Sequence, residues 1–214
     1  MIKAVIFDLD GTLLNTLDDL TNSVNHMLTH YGFEKRTMNE VKSFIGDGAR
    51  QLVERSLGEG SNKEKIDEYL SFYEAYYDIH KQDLSRPYDG IIELLDDLKA
   101  RNIKMAVVSN KPDDAVKPLV ETLFGDYFEL AIGESKDLKR KPSPEMLHHA
   151  IKSLGLKKEE VIFVGDSDVD MQTAINAKVK VIACLWGFRD FDVLSKYNPD
   201  HIVTVPNEIN NIIK

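Results

Sequence analysis

Short apolar runs that break off at polar residues recur along this chain, at Ala4–Phe7, Ile103–Val108, Glu129–Ile132, Val161–Val164 and Val179–Leu185, with a weaker sixth at His201–Val205. Runs this short and continuous predict strands buried on both faces, as in a parallel sheet. Between them the period changes. Ile91, Leu94, Leu95 and Leu98 fall at i, i+3, i+4 and i+7, as do Leu147, Ala150, Ile151 and Leu154. Each set is the apolar stripe of an amphipathic helix. Thr173, Ala174 and Ala177 predict a further, closely packed helix. In the stretch 111–124, Pro118 is expected to break a helix begun at Asp113. Alternating strands and helices at this spacing build right-handed βαβ units. The fold class is therefore α/β, with a doubly wound, Rossmann-like parallel sheet.

One interval breaks the rhythm. After the first strand the chain offers no strand-like run for about 90 residues, and helical patterns fill the gap at 17–30, 38–44, 49–57 and 63–80. Glycine turns at Gly46-Asp47-Gly48 and Gly58-Glu59-Gly60-Ser61 separate them. The expected organisation is a core of residues 1–15 and 84–214, with a helical domain of residues 16–83 inserted after strand one.

Composition narrows the partners. The 214 residues carry 36 Asp and Glu against 27 Lys and Arg, a net charge of −9, which would repel nucleic acid. No apolar stretch approaches membrane-spanning length, and Asp8 ends the first run too early for a signal peptide. A single cysteine, Cys184, allows neither an internal disulfide nor a thiolate zinc site and suits a reducing compartment. A cytoplasmic monomer or homodimer is expected.

In an open parallel sheet, ligands bind beyond the carboxyl ends of the strands. Four polar clusters lie there: Asp8-Leu9-Asp10-Gly11-Thr12-Leu13, Ser109-Asn110-Lys111, Lys141-Pro142 and Gly165-Asp166-Ser167-Asp168-Val169-Asp170. Asp8, Asp10, Asp166 and Asp170 would bring up to four negative charges into one crevice. At about 4 Å and an effective dielectric near 20, each like pair costs on the order of 4 kcal/mol. Such a cluster calls for a cation, and an all-oxygen site suits Mg²⁺. With Lys141 as a fixed positive charge, the set suits binding and splitting a phosphate dianion.

In this order, the clusters resemble the four motifs of the haloacid dehalogenase superfamily, and the resemblance runs through the whole chain. The helical insert resembles that superfamily's cap. Gly46-Asp47-Gly48-Ala49-Arg50 with Leu52-Val53, and Trp186-Gly187-Phe188-Arg189, look most like its phosphoglycolate phosphatase branch. The resemblance implies Asp8 as the nucleophile that forms an aspartyl-phosphate and Asp10 as general acid and base. It implies Thr12, Ser109 and the Asn110 backbone N–H as hydrogen-bond donors and Lys141 as the charge on the transferring group. Mg²⁺ is expected on the Asp8 carboxylate, the Asp10 carbonyl and Asp166, with Asp170 as a ligand or behind the ligands. Gly48 and Arg50 are candidate substrate contacts. Arg50 follows a glycine turn and could clamp a substrate carboxylate, with a solvated arginine at a helix start as the alternative. The substrate would be a small phosphorylated metabolite. Inorganic pyrophosphatase, sugar-phosphate phosphatase and phosphoglucomutase chemistry use the same motifs. A receiver domain would place its phospho-acceptor on the third strand and lack the insert.

Plainer readings apply elsewhere. Asp166, Asp168 and Asp170 mimic the start of a calcium loop, but Met171 and Ala177 stand where that loop needs Gly and Glu. His26 and His30 read as a surface pair rather than a zinc site. Tyr69, Phe72, Tyr73, Tyr76 and Tyr77 read as packing within the insert, with a substrate gate as the alternative. Cys184 reads as a small buried hydrophobe.

Overall fold

A computed structural model describes residues 1–58 and 62–213. Of the turn expected at 58–61, all but Gly58 lies outside the described residues. The strands are β1 (Ala4–Phe7), β2 (Leu14–Asn15), β3 (Arg86–Pro87), β4 (Lys104–Pro112), β5 (Leu130–Glu134), β6 (Val161–Gly165), β7 (Lys180–Cys184) and β8 (His201–Val203). The helices are α1 (Leu17–His30), α2 (Met38–Phe44), α3 (Ala49–Leu57), α4 (Ile66–His80), α5 (Ile91–Ala100), α6 (Asp113–Phe124), α7 (Glu145–Ser153), α8 (Asp168–Ala177), α9 (Phe191–Leu194) and α10 (Glu208–Ile212). The chain divides into two compact units, Met1–Leu14 with the chain from Pro87 on, and Asn15–Arg86. No helix among the described residues is long and apolar enough to cross a membrane.

The larger unit is built on a parallel sheet of order β5-β4-β1-β6-β7-β8. The chain steps outward from β1 through β4 to β5, then returns to the other side of β1 for β6 and steps outward again. The direction of winding thus reverses at β1, where such sheets form a crevice at their carboxyl edge. Both faces are covered, which is why the strands read as unbroken apolar runs. Val5, Phe7, Met105, Val107, Ile162 and Val164 face one way, onto Ile91, Leu94, Leu95 and Leu98 of α5 and Val116 and Val120 of α6. Their neighbours Ala4, Ile6, Ala106, Val108 and Phe163 face the other way, onto Met146, Leu147 and Ala150 of α7 and Met171 and Ala174 of α8. Each large side chain so buried contributes about 1.5–3 kcal/mol.

Pro118 does not break α6; it sits inside the helix. Ala115, Val116, Leu119, Val120 and Phe124 are buried on one face and hold the helix to the sheet, whereas Pro118 and Asp114 are exposed. The Asp114 carbonyl, left without the amide that Pro118 lacks, lies on the water-facing side.

In the smaller unit, Thr37 and Glu40 cap α2 reciprocally. Buried Asp19 on α1 accepts hydrogen bonds from Leu84 N–H at 3.1 Å and from Ser85 N–H and Oγ at 2.8 and 2.7 Å. That carboxylate ties the unit's beginning to its end. The aromatic stripe of α4 splits in two. Tyr69, Tyr73 and Tyr77, one helical turn apart, are buried. Phe72 and Tyr76 instead stack with histidines: His30 on Phe72 at 4.1 Å, His26 on Tyr76 at 3.8 Å and His80 on Tyr76 at 4.1 Å between ring centroids. His26 and His30 are exposed, as the surface reading expects, but their rings are held in this stack.

Candidate active site

Register places the chemistry. Phe7, the last residue of β1, is level with Val107 of β4 and Val164 of β6. Asp8 therefore emerges just past the end of β1, beside Ser109 two residues beyond Val107 and Asp166 two residues beyond Val164. The Asp8 N–H still donates to the Val164 carbonyl at 2.9 Å, so the nucleophile candidate is fixed by sheet pairing. The chain then turns sharply, with the Thr12, Leu13 and Leu14 amides all donating to the Leu9 carbonyl. Gly11 has φ 91°, and a Cβ there would fall 2.3 Å from the Asp166 carboxylate, so the turn requires glycine.

Asp8, Asp166 and Asp170 are buried and each offers one oxygen, all within 4.8 Å of one another. Between them lies buried Lys141, its Nζ 2.7 Å from Asp8 Oδ1 and 2.6 Å from Asp170 Oδ1. Lys141 is aimed by its own backbone: the Asn110 side chain accepts its N–H at 2.8 Å and donates to its carbonyl at 2.9 Å. Asp166 Oδ1 accepts from Thr12 Oγ1 at 2.8 Å and Oδ2 from the Phe188 amide at 2.7 Å. Asp170 Oδ2 accepts from Ser167 Oγ at 2.6 Å, within the capping box that opens α8. A Cβ at Gly187 would lie 2.3 Å from the Gly11 carbonyl, so the segment after β7 also closes tightly on the site.

Three carboxylates against one ammonium leave two negative charges uncompensated. Burial, reinforced by Asp170, pushes Asp8 well above the ordinary carboxylate range and Asp166 up to about 7. Burial works against the Lys141 ammonium, but Asp170 and Asp8 outweigh it and hold it protonated beyond the usual lysine range. The deficit is that of one divalent cation, and the donors are all oxygen; the residues fit a hard ion such as Mg²⁺.

Asp10 stands slightly apart. Both its oxygens meet the Lys111 ammonium, at 3.0 and 3.1 Å. Ser109 Oγ, also buried, accepts the Lys111 N–H at 3.2 Å. Gly48 and Arg50 belong to the helical unit. There Gly48 caps α3 with φ 85°, and the Arg50 guanidinium lies 2.6 Å from Asp67 and 3.3 Å from Glu54 at the surface.

The larger unit thus brings together Asp8, Asp10, Thr12, Ser109, Asn110, Lys141, Asp166 and Asp170. Sequence reasoning missed the contacts of Lys111, Ser167 and the Phe188 amide. A cation directly after Ser109-Asn110 at a strand end was a usable signal for the first, and a serine opening the helix after Asp166 for the second. A main-chain amide leaves no mark in sequence. Thr12 donates to Asp166 rather than standing ready for a ligand, and the Asn110 side chain has its own task, aiming Lys141.

Residues 5–184 match the family model described as haloacid dehalogenase-like hydrolase. Over 208 residues the chain is 35% identical to Phosphoglycolate phosphatase 1 of Pseudomonas aeruginosa, covering 94% of this chain and 76% of that protein. It is 34% identical to the Phosphoglycolate phosphatase of Thiobacillus denitrificans, covering 94% and 91%. A crystal structure from Lactobacillus delbrueckii subsp. bulgaricus, provisionally assigned as a phosphoglycolate phosphatase, superposes with a TM-score of 0.92 at 34% identity, covering 99% and 98%. With its four motifs gathered at one sheet edge and these likenesses along nearly its whole length, the chain belongs to the haloacid dehalogenase-like hydrolase family.

Proposed function

We propose that this protein is a Mg²⁺-dependent phosphomonoesterase acting on 2-phosphoglycolate. The observation that carries the reading is the buried charge deficit of Asp8, Asp166 and Asp170 around the single ammonium of Lys141. The names of the relatives supply the substrate. Asp8, Asp166 and Asp170, with the Asp10 carbonyl, would hold the ion, whose charge would offset that of the nucleophile and the phosphoryl oxygens.

In this reading the Asp8 carboxylate attacks phosphorus, the bond to the ester oxygen breaks, and an aspartyl-phosphate forms. Asp10 gives a proton to the departing alkoxide, then takes one from the water that attacks phosphorus. Inorganic phosphate leaves and Asp8 is regenerated. Lys141, kept charged by Asp170 and Asp8, stabilises the transferring group throughout. The Ser109 hydroxyl and the Asn110 N–H donate to phosphoryl oxygens, and Thr12 acts by orienting Asp166. The helical unit takes the part of the family's cap, and a cytoplasmic location suits the lone buried thiol.

Asp8→Asn keeps the shape and removes the attacking charge. Phosphate release from phosphoglycolate should fall by several orders of magnitude while the far-UV circular dichroism stays native; near-native turnover would overturn the mechanism. Arg50 is assigned to the substrate carboxylate, for which it would exchange Asp67 and Glu54. Arg50→Ala should then lower kcat/KM for phosphoglycolate roughly tenfold to a hundredfold and leave p-nitrophenyl phosphate unaffected. Equal losses on both would assign Arg50 to the helical unit's stability instead.

A further inference from the structure

Two aspartates two residues apart each meet a different lysine. Lys141 serves Asp8, as above; Lys111, at the end of β4, serves Asp10. The Lys111 side chain is 4% exposed and that of Asp10 13%, so the pair is largely shielded from water. Its geometry differs from the Lys141 contacts: a single ammonium reaches both oxygens of one carboxylate, at 3.0 and 3.1 Å. The backbone that delivers it is irregular, since β4 continues to Pro112 while its register with β5 shifts between Val108 and Pro112. The Lys111 N–H is held by Ser109 Oγ at 3.2 Å within that segment.

A carboxylate turns easily about its last bond, because that torsion has broad, two-fold wells. A cation centred on both oxygens removes this freedom before substrate arrives. We infer that Lys111 is a positioning residue for Asp10, fixing by its two-point contact the direction in which that carboxylate faces the ester oxygen. The inference rests on the reading of Asp10 as the acid and base of a phosphatase. Nothing in it requires Lys111 to touch substrate; it acts through Asp10. In the formation of the aspartyl-phosphate, which kcat/KM reports, a misdirected acid costs rate only where the leaving group needs a proton.

The test compares two esters lacking a carboxylate. Propyl phosphate expels an alkoxide that needs a proton, and p-nitrophenyl phosphate expels a phenolate that does not. Lys111→Met should lower kcat/KM for propyl phosphate roughly tenfold to a hundredfold and for p-nitrophenyl phosphate by less than about threefold. In an Asp10→Asn background the same substitution should have no further effect on either, since the residue it acts through is gone. Should Lys111→Met fail to fold by circular dichroism, Lys111→Gln takes its place in both comparisons. Equal losses on the two esters, no loss, or an undiminished effect beside Asp10→Asn overturns the inference alone. A native protein that releases phosphate from neither ester, nor from phosphoglycolate, overturns the phosphatase reading and the inference with it.

Discussion

At the scale of single residues, the site is held by charges that burial has made mutually dependent. Asp166 shows this best. Its carboxyl is pushed up to about 7 by burial and by Asp170, against the hydrogen bonds of Phe188 and Thr12. In the unfolded chain it would titrate in the ordinary carboxylate range, so between about pH 4 and 7 the folded protein keeps a proton that the unfolded chain releases. Stability must then fall as pH rises through that window, and raised Asp8 adds in the same direction. Raised Lys141 acts in the same direction, since the folded protein again keeps a proton that the unfolded chain releases, but only above the usual lysine range. Thermal melts in chelator should show the midpoint declining from pH 5 to pH 8. Mg²⁺ should raise it more at pH 8, where it replaces the missing protons, than at pH 5; equal shifts would dissociate the ion from these carboxylates. The same interdependence limits what sequence reveals. Four aspartates at strand ends were legible because charge cannot accumulate there without a reason. Lys111 was legible only as a cation at a strand end; its partner was not, because nothing in the sequence says which carboxylate the fold brings to it. Thr12 is a similar case, its hydroxyl assigned only once Asp166 lies 2.8 Å away.

Elements obeyed burial before propensity. Most strands of the large sheet were legible to within a residue or two because both sheet faces are covered, so apolar runs have no polar alternation to blur their ends. β4, however, runs past the expected Val108 to Pro112, and the two-residue β2 and β3 were not expected, having no apolar run to show them. The first three helices of the smaller unit fall where their periodicity places them, and α4 starts later than expected only because Lys63–Lys65 winds as a short 3₁₀ turn. Pro118 is the instructive failure: five buried side chains on α6 outweigh one missing hydrogen bond. An interior proline costs about 3 kcal/mol in a helix, offset in part by the freedom it removes from the unfolded chain, about 0.4–1 kcal/mol. Pro118→Ala should therefore stabilise the protein. At about 2–4 °C per kcal/mol for a chain of this size, a calorimetric melt should rise by several degrees. A fall would mean that the freed Asp114 carbonyl serves a purpose the helix face does not show.

At the scale of the molecule, each unit closes on itself. In the larger one the Tyr88 N–H donates to the Leu13 carbonyl at 3.1 Å, so the two chain ends that flank the insert are joined without it. In the smaller one Asp19 does the same through Leu84 and Ser85. Replacing residues 16–85 with a short glycine-serine linker should leave a protein with a cooperative melt and an intact sheet by circular dichroism. Loss of the cooperative transition would show that the sheet depends on the insert for its stability. Closure of this kind also bears on descent. A seam sealed by the core's own backbone behaves as a socket: recombination between codons for residues 15 and 86 can exchange one cassette for another while the inherited catalytic edge is left undisturbed.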